Sequence, residues 1–156
     1  MTIVDYNPFN LLTGPWFWAA FLGWINAQVV KMIRGIVKTG KVDFQYLLST
    51  GGMPSAHSSL VNALWMSIGL TEGFDRPMTM LAVGFASITM FDAAVVRRAA
   101  GHQARILNQI TEELATSRRV RYAKLRELLG HTRTEVFAGM ATGMATAYLV
   151  VSLWRG

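Results

Sequence analysis

The sequence predicts an all-α fold, an integral membrane helical bundle of about four membrane helices plus cytoplasmic amphipathic helices. Three observations carry this. Hydrophobic residues make up 52% of the chain and charged ones only 15%, against about 25% charged in an ordinary soluble domain. Apolar stretches at 16–36, 77–96 and 134–154 each approach the roughly 20 residues that a span requires. Every Lys and Arg except Arg76 and Arg155 falls into two connections, at 31–41 and 97–133. Cations gather on the cytoplasmic side of membrane proteins, so both connections are expected there and both termini across the bilayer.

At 156 residues the chain reads as one membrane-embedded domain, 1–156. Cysteine is absent, which excludes disulfides and thiolate chemistry. A net charge of +6 in so apolar a chain reflects membrane loops, and no nucleic-acid partner is expected. The opening MTIVDYNPFN holds an acid and no base. That is not the n-region of a secretory signal, so the first apolar segment is expected to stay.

Taken in order, Pro15 opens the first apolar helix, which runs to about residue 36. Lys31 and Arg34 sit three apart on one face. They are either snorkelling cations at a helix end or part of a site. Residues 38–50 are too short and mixed to span. A second helix is expected over 54–70, a third from Pro77 to about residue 96, and a fourth over 134–154. Ala100, Gln103, Ile106, Leu107, Ile110 and Leu114 repeat every three to four residues, the pattern of an amphipathic helix. It could continue straight out of the third. A short helix over 122–129 is closed by Gly130. Gly139 and Gly143, four apart, offer a flat surface for close helix packing.

The polar residues of one membrane face carry the chemistry. Gly51 and Gly52 free the backbone ahead of Pro54, Ser55 and His57, and a helix N-terminus suits an anion such as phosphate. His131 and Glu135 stand four apart and share a helical face. A carboxylate there can hold one imidazole nitrogen and make the other more nucleophilic. Asp92 ends an apolar helix, where an acid is costly and usually paired. Arg97 and Arg98, five and six residues on, are its nearest cations in sequence. Blander readings stand beside these. Ser55 could simply cap a helix, His131 with Glu135 could be a helix-start hydrogen bond, and His102 reads as a surface residue. Asp92, Glu135 and the histidines could also make an N/O site for a divalent metal, although their spacing matches no metal motif and no cofactor is expected.

Gly-Gly-Met-Pro-Ser-Ala-His at 51–57, Phe-Asp-Ala-Ala-Val-Val-Arg-Arg-Ala-Ala-Gly at 91–101 and Leu-Leu-Gly-His-Thr-Arg-Thr-Glu-Val at 128–136 resemble the divergent type-two phosphatidic acid phosphatase family. That family is related to acid phosphatases and vanadium-dependent haloperoxidases. The resemblance implies a phosphatase for a lipid phosphate, phosphatidate or an isoprenyl phosphate or pyrophosphate. It implies His131 as nucleophile, Glu135 in place of the orienting aspartate, and His57 as the acid for the leaving oxygen. Ser55, Gly51, Gly52, Lys31, Arg97, Arg98 and Arg126 become the candidates for holding phosphate, with Asp92 as a possible accessory. The superfamily's Lys-x6-Arg-Pro motif is absent, so Lys31 or Arg34 must substitute. No Ser-Arg precedes His131 at the usual distance, leaving Arg126, Arg97 or Arg98 for that role. The expected location is the cell (inner) membrane, with the active face cytoplasmic. A non-catalytic lipid-phosphate binder or transporter, or a membrane assembly factor, is the alternative, and a homo-oligomer is left open.

Overall fold

Prolines start two of the helices. The computed structural model of the chain describes residues 8–40, 52–118, 125 and 130–154. In it, α1 (Pro15–Thr39) and α3 (Pro77–Phe91) each begin on a proline, where the missing N–H would have had no helical partner. A 3-10 helix, Pro8–Thr13, leads into α1. Gly40 ends α1 in the left-handed conformation (φ 69°), its N–H returning to the Ile36 carbonyl. The other helices are α2 (Ala56–Glu72), α4 (Arg97–Arg118) and α5 (Arg133–Trp154). A π-helical turn, Asp92–Val96, joins α3 to α4, so the third predicted helix does continue into the amphipathic one. No strand occurs among the described residues. The helix expected over 122–129 lies outside them, apart from Leu125, as does most of the 38–50 connection.

Small residues decide how the helices meet. Gly139 and Gly143 of α5 lie against Ser55, Ser58, Ser59 and Ala63 of α2, so closely that a Cβ on either glycine would strike the α2 backbone. Those contacts advance together along both chains, so α2 and α5 run parallel. On another side of α2, Gly23 of α1 meets Ser59 and Ala63, while Trp16 donates to Thr71 Oγ1 at 2.7 Å, so α1 runs antiparallel to α2. The glycine pair of α5 is therefore used inside the fold. It does not supply a surface for assembly with another chain. Hydrogen bonds tie α1 to both neighbours, from Ser59 Oγ of α2 to the Gly23 carbonyl (2.6 Å) and from Asn26 to Thr146 Oγ1 of α5 (3.0 Å). Each such bond contributes about 0.6 kcal/mol in a membrane bundle.

Polarity is inverted relative to a soluble protein. The largest fully buried side chains include Asn62, Thr79, Ser58 and Ser67, and the buried apolar residues are mostly alanines. Leu81, Phe85, Ile88 and Phe91 of α3 instead face outward at 57–72% exposure. An apolar exterior around a small, polar, hydrogen-bonded interior is how helices pack in lipid. Two helical runs, Pro77–Leu114 and Arg133–Trp154, are long and apolar enough to cross a membrane.

The stripe predicted on α4 is not the side on which that helix packs. Ile106, Leu107, Ile110 and Leu114 are about half exposed, whereas Ala104 and Asn108 are buried, along with Gly101. Asn108 explains the choice of face. Its side-chain amide donates to the Leu125 carbonyl (2.9 Å) and accepts from the Leu125 N–H (2.8 Å). Both backbone groups of Leu125 are thereby satisfied on the side that packs.

Candidate active site

One end of the bundle gathers the predicted residues. A cavity of about 70 Å³ opens there, lined by His57, Thr89, Asp92, Ala93, Arg97, Gly130 and His131. About 10–15 Å³ of such space holds one water, so the cavity has room for a group of a few heavy atoms.

His131 is held on two sides. Its backbone N–H donates to the Ala93 carbonyl at 3.0 Å, within the π turn. Gly130 makes that approach feasible. It has φ 96°, and a Cβ there would lie 2.5 Å from the Arg98 nitrogen, so both the backbone conformation and the space call for glycine. On the other side, Nδ1 of His131 lies 3.1 Å from Glu135 Oε2. The same oxygen accepts the Thr132 N–H (3.0 Å), and Thr132 Oγ1 accepts the Glu135 N–H (3.3 Å). This is a capping box at the start of α5. A carboxylate oxygen accepts, so Nδ1 carries the proton and Nε2 keeps its lone pair. Burial, with His131 only 3% exposed, pushes the imidazole below the usual histidine range. Glu135 raises it again in part, while Lys31 and Arg97 oppose that.

The π turn also forms the ion pair. In an α-helix, residues five apart point to different faces; here the Arg97 N–H reaches back to the Asp92 carbonyl, and Arg97 Nε donates to Asp92 Oδ2 at 2.7 Å. Arg97 thereby lines the cavity beside His57. Arg98 is exposed and is not among the lining residues.

A family model described as the Divergent PAP2 family matches residues 12–146. The chain belongs to the Divergent PAP2 family. The protein is also similar to an uncharacterized membrane protein, YuiD, of Bacillus subtilis (strain 168), 39% identical over 131 residues, which cover 77% of this chain and 83% of the relative. No solved structure matches the chain. Family membership makes it a phosphatase-related membrane protein.

The remaining candidates of this Divergent PAP2 chain separate by position. Lys31 follows Ala19, Gly23 and Ala27 at four-residue intervals on the buried face of α1. It is only 5% exposed and interacts electrostatically with Glu135, His57 and His131. Arg34 faces outward, so of the two cations proposed for the missing first motif only Lys31 turns inward. Ser55 does not line the cavity. It is fully buried and caps α2, its Oγ accepting from Ser58 N–H (3.4 Å) and Ser58 Oγ (3.1 Å), while its own N–H donates to the Glu135 carbonyl (2.9 Å). The start of α2 is thus committed to α5, and the plainer reading of Ser55 as a cap describes its contacts. Gly52 is exposed in a left-handed turn (φ 91°), away from the lining. His102 is exposed and is not among the lining residues. Gly51 and Arg126 lie outside the described residues. Among the described residues, no three His, Asp or Glu side chains are grouped to hold a metal ion.

Thr89, Ala93 and Gly130 were missed as site residues. Thr89 and Ala93 carry no chemical signal in sequence. Gly130 reads in sequence as a helix closer, and the Thr132-x-x-Glu135 spacing is the sequence sign that α5 starts with its carboxylate turned back toward His131.

Proposed function

We propose that the protein is a membrane phosphatase acting on a lipid phosphate, with His131 as nucleophile. The observation that carries this reading is the convergence of two histidines and Arg97 on one small cavity, with the buried histidine hydrogen-bonded to Glu135. Membership of a phosphatase-related membrane family supports it. Nε2 of His131 attacks phosphorus and the bond to the leaving oxygen breaks. His57, protonated, delivers its proton to that oxygen. Water then attacks the phosphohistidine, giving its proton to His57, and inorganic phosphate leaves with His131 restored. Glu135 holds the tautomer and stabilises the charge that develops on the ring. Arg97 and Lys31 offset charge on the phosphoryl oxygens. The clustering of cations around the site end supports a cytoplasmic active face in the cell membrane, with four spans.

A second reading, a lipid-phosphate binder without turnover, is favoured by the missing Lys-x6-Arg-Pro motif. Phosphate release by the purified protein separates the two, using phosphatidate, an isoprenyl phosphate and an isoprenyl pyrophosphate, with and without chelator. Release from any of them, lost in His57→Ala, supports the phosphatase. Binding without release by the wild type would favour the binder. Complete loss in chelator would introduce a metal.

A further inference from the structure

We propose that Asp92 is a positioning residue that sets the Arg97 guanidinium for a phosphate group in the cavity. The inference rests on the phosphate-site reading above and assigns Asp92 a part in it. An acid lining an anion site opposes binding by its charge, so its presence there calls for a compensating role. Stability does not supply one. The Asp92–Arg97 side chains are 40% and 52% exposed, and ion pairs so exposed contribute little to folding.

Geometry does supply one. Arg97 follows Asp92 by five residues, and only the π turn between them brings the pair to one face. π turns inside helices occur frequently at functional sites. Of the five N–H donors on a guanidinium, the one on Nε is taken by Asp92 Oδ2 at 2.7 Å. The two terminal nitrogens are left as the parallel fork that binds two phosphate oxygens at once. Fixing Nε restrains the plane of the fork, so less side-chain freedom is lost when phosphate arrives. The same π turn accepts the His131 N–H at Ala93. One local distortion of the helix therefore registers both the phosphate-binding arginine and the histidine beside it.

The test reads inorganic phosphate affinity by calorimetry on the full chain in detergent, which does not depend on turnover. Asp92→Ala should weaken phosphate binding about tenfold with the melting temperature unchanged. Asp92→Asn, which keeps an acceptor for Nε, should recover most of the loss. In an Arg97→Lys background, which lacks both the Nε donor and the fork, Asp92→Ala should weaken binding no further. Phosphate binding by Asp92→Ala as tight as wild type, or tighter, would overturn the inference while leaving the phosphate site standing. A wild-type protein that bound no phosphate would remove both.

Discussion

Gly130 packs its α-carbon onto the backbone of Arg98, leaving 2.5 Å between a would-be Cβ and the Arg98 nitrogen. This contact seats the segment before α5 on the start of α4, where the His131 N–H meets the Ala93 carbonyl of the π turn and the ring lines the cavity. Gly130→Ala meets both a positive φ of 96° and a backbone wall. A left-handed non-glycine costs about 1–3 kcal/mol. Thermal unfolding should show a loss of that size, and phosphate release should fall about 100-fold as His131 is displaced. Wild-type rates in Gly130→Ala would mean that this contact does not position the histidine.

The pH dependence follows from His131. Burial holds its imidazole below the ordinary value of 6.5, so the unfolded chain takes up the proton first. The resulting stability is fully present above about pH 6.5 and is lost as pH falls through the lower, folded value. The acid limb of the rate profile should likewise lie below 6.5, because protonated Nε2 cannot attack. Glu135 is one of the groups raising the imidazole. Glu135→Gln should therefore move that limb to still lower pH, while the maximal rate falls at least about tenfold. A limb that moved upward would contradict the assignment.

Neighbouring arginines should behave unequally. Arg97 lines the cavity and Arg98 points outward. Arg97→Ala is expected to raise the KM for a lipid phosphate by about tenfold or more, Arg98→Ala by less than about twofold. His102→Ala, on an exposed position of α4, should leave both kcat and KM unchanged. Equal losses at the two arginines would require a different account of the π turn.

The seam between α2 and α5 gives a packing prediction. Gly143 has no room for a Cβ against Ser59 and Ala63, whereas Gly84 of α3 has open space around it. Gly143→Val should destabilise the bundle by about 3 kcal/mol or more, visible as a lower melting temperature in detergent. Gly84→Ala should raise stability by up to about 1 kcal/mol. Equal tolerance at the two positions would mean that α5 does not rest on α2 as described.

Much of this architecture was legible in the residues themselves. Pro15 and Pro77 marked two helix starts, apolar run lengths marked the helices, and the order of His57, Asp92 and His131 at one predicted face marked the site. What stayed hidden was directional. Asp92 had two cations ahead of it, and nothing in an α-helical register selects Arg97 over Arg98; a five-residue π turn does. Ser55 has the chemistry of a phosphate ligand and of a helix cap alike, and in the fold its Oγ accepts the Ser58 N–H as a cap. The α4 stripe looked like the packing face because apolar periodicity usually marks it, but Asn108 satisfies a backbone on the other side. Lys31 is open in sequence between a snorkelling cation and a site residue, and its place on the face of Ala19, Gly23 and Ala27 turns it inward.

Transfer of the phosphoryl group to His131 is the step on which the mechanism turns. It is tested most directly by single-turnover reaction of the purified wild-type protein with radiolabelled lipid phosphate, quenched in alkali and followed by peptide mapping. Label is expected on the peptide containing His131, with neither label nor phosphate release in His131→Ala. Phosphate release by His131→Ala at the wild-type rate, with no label on that peptide in the wild type, would contradict it.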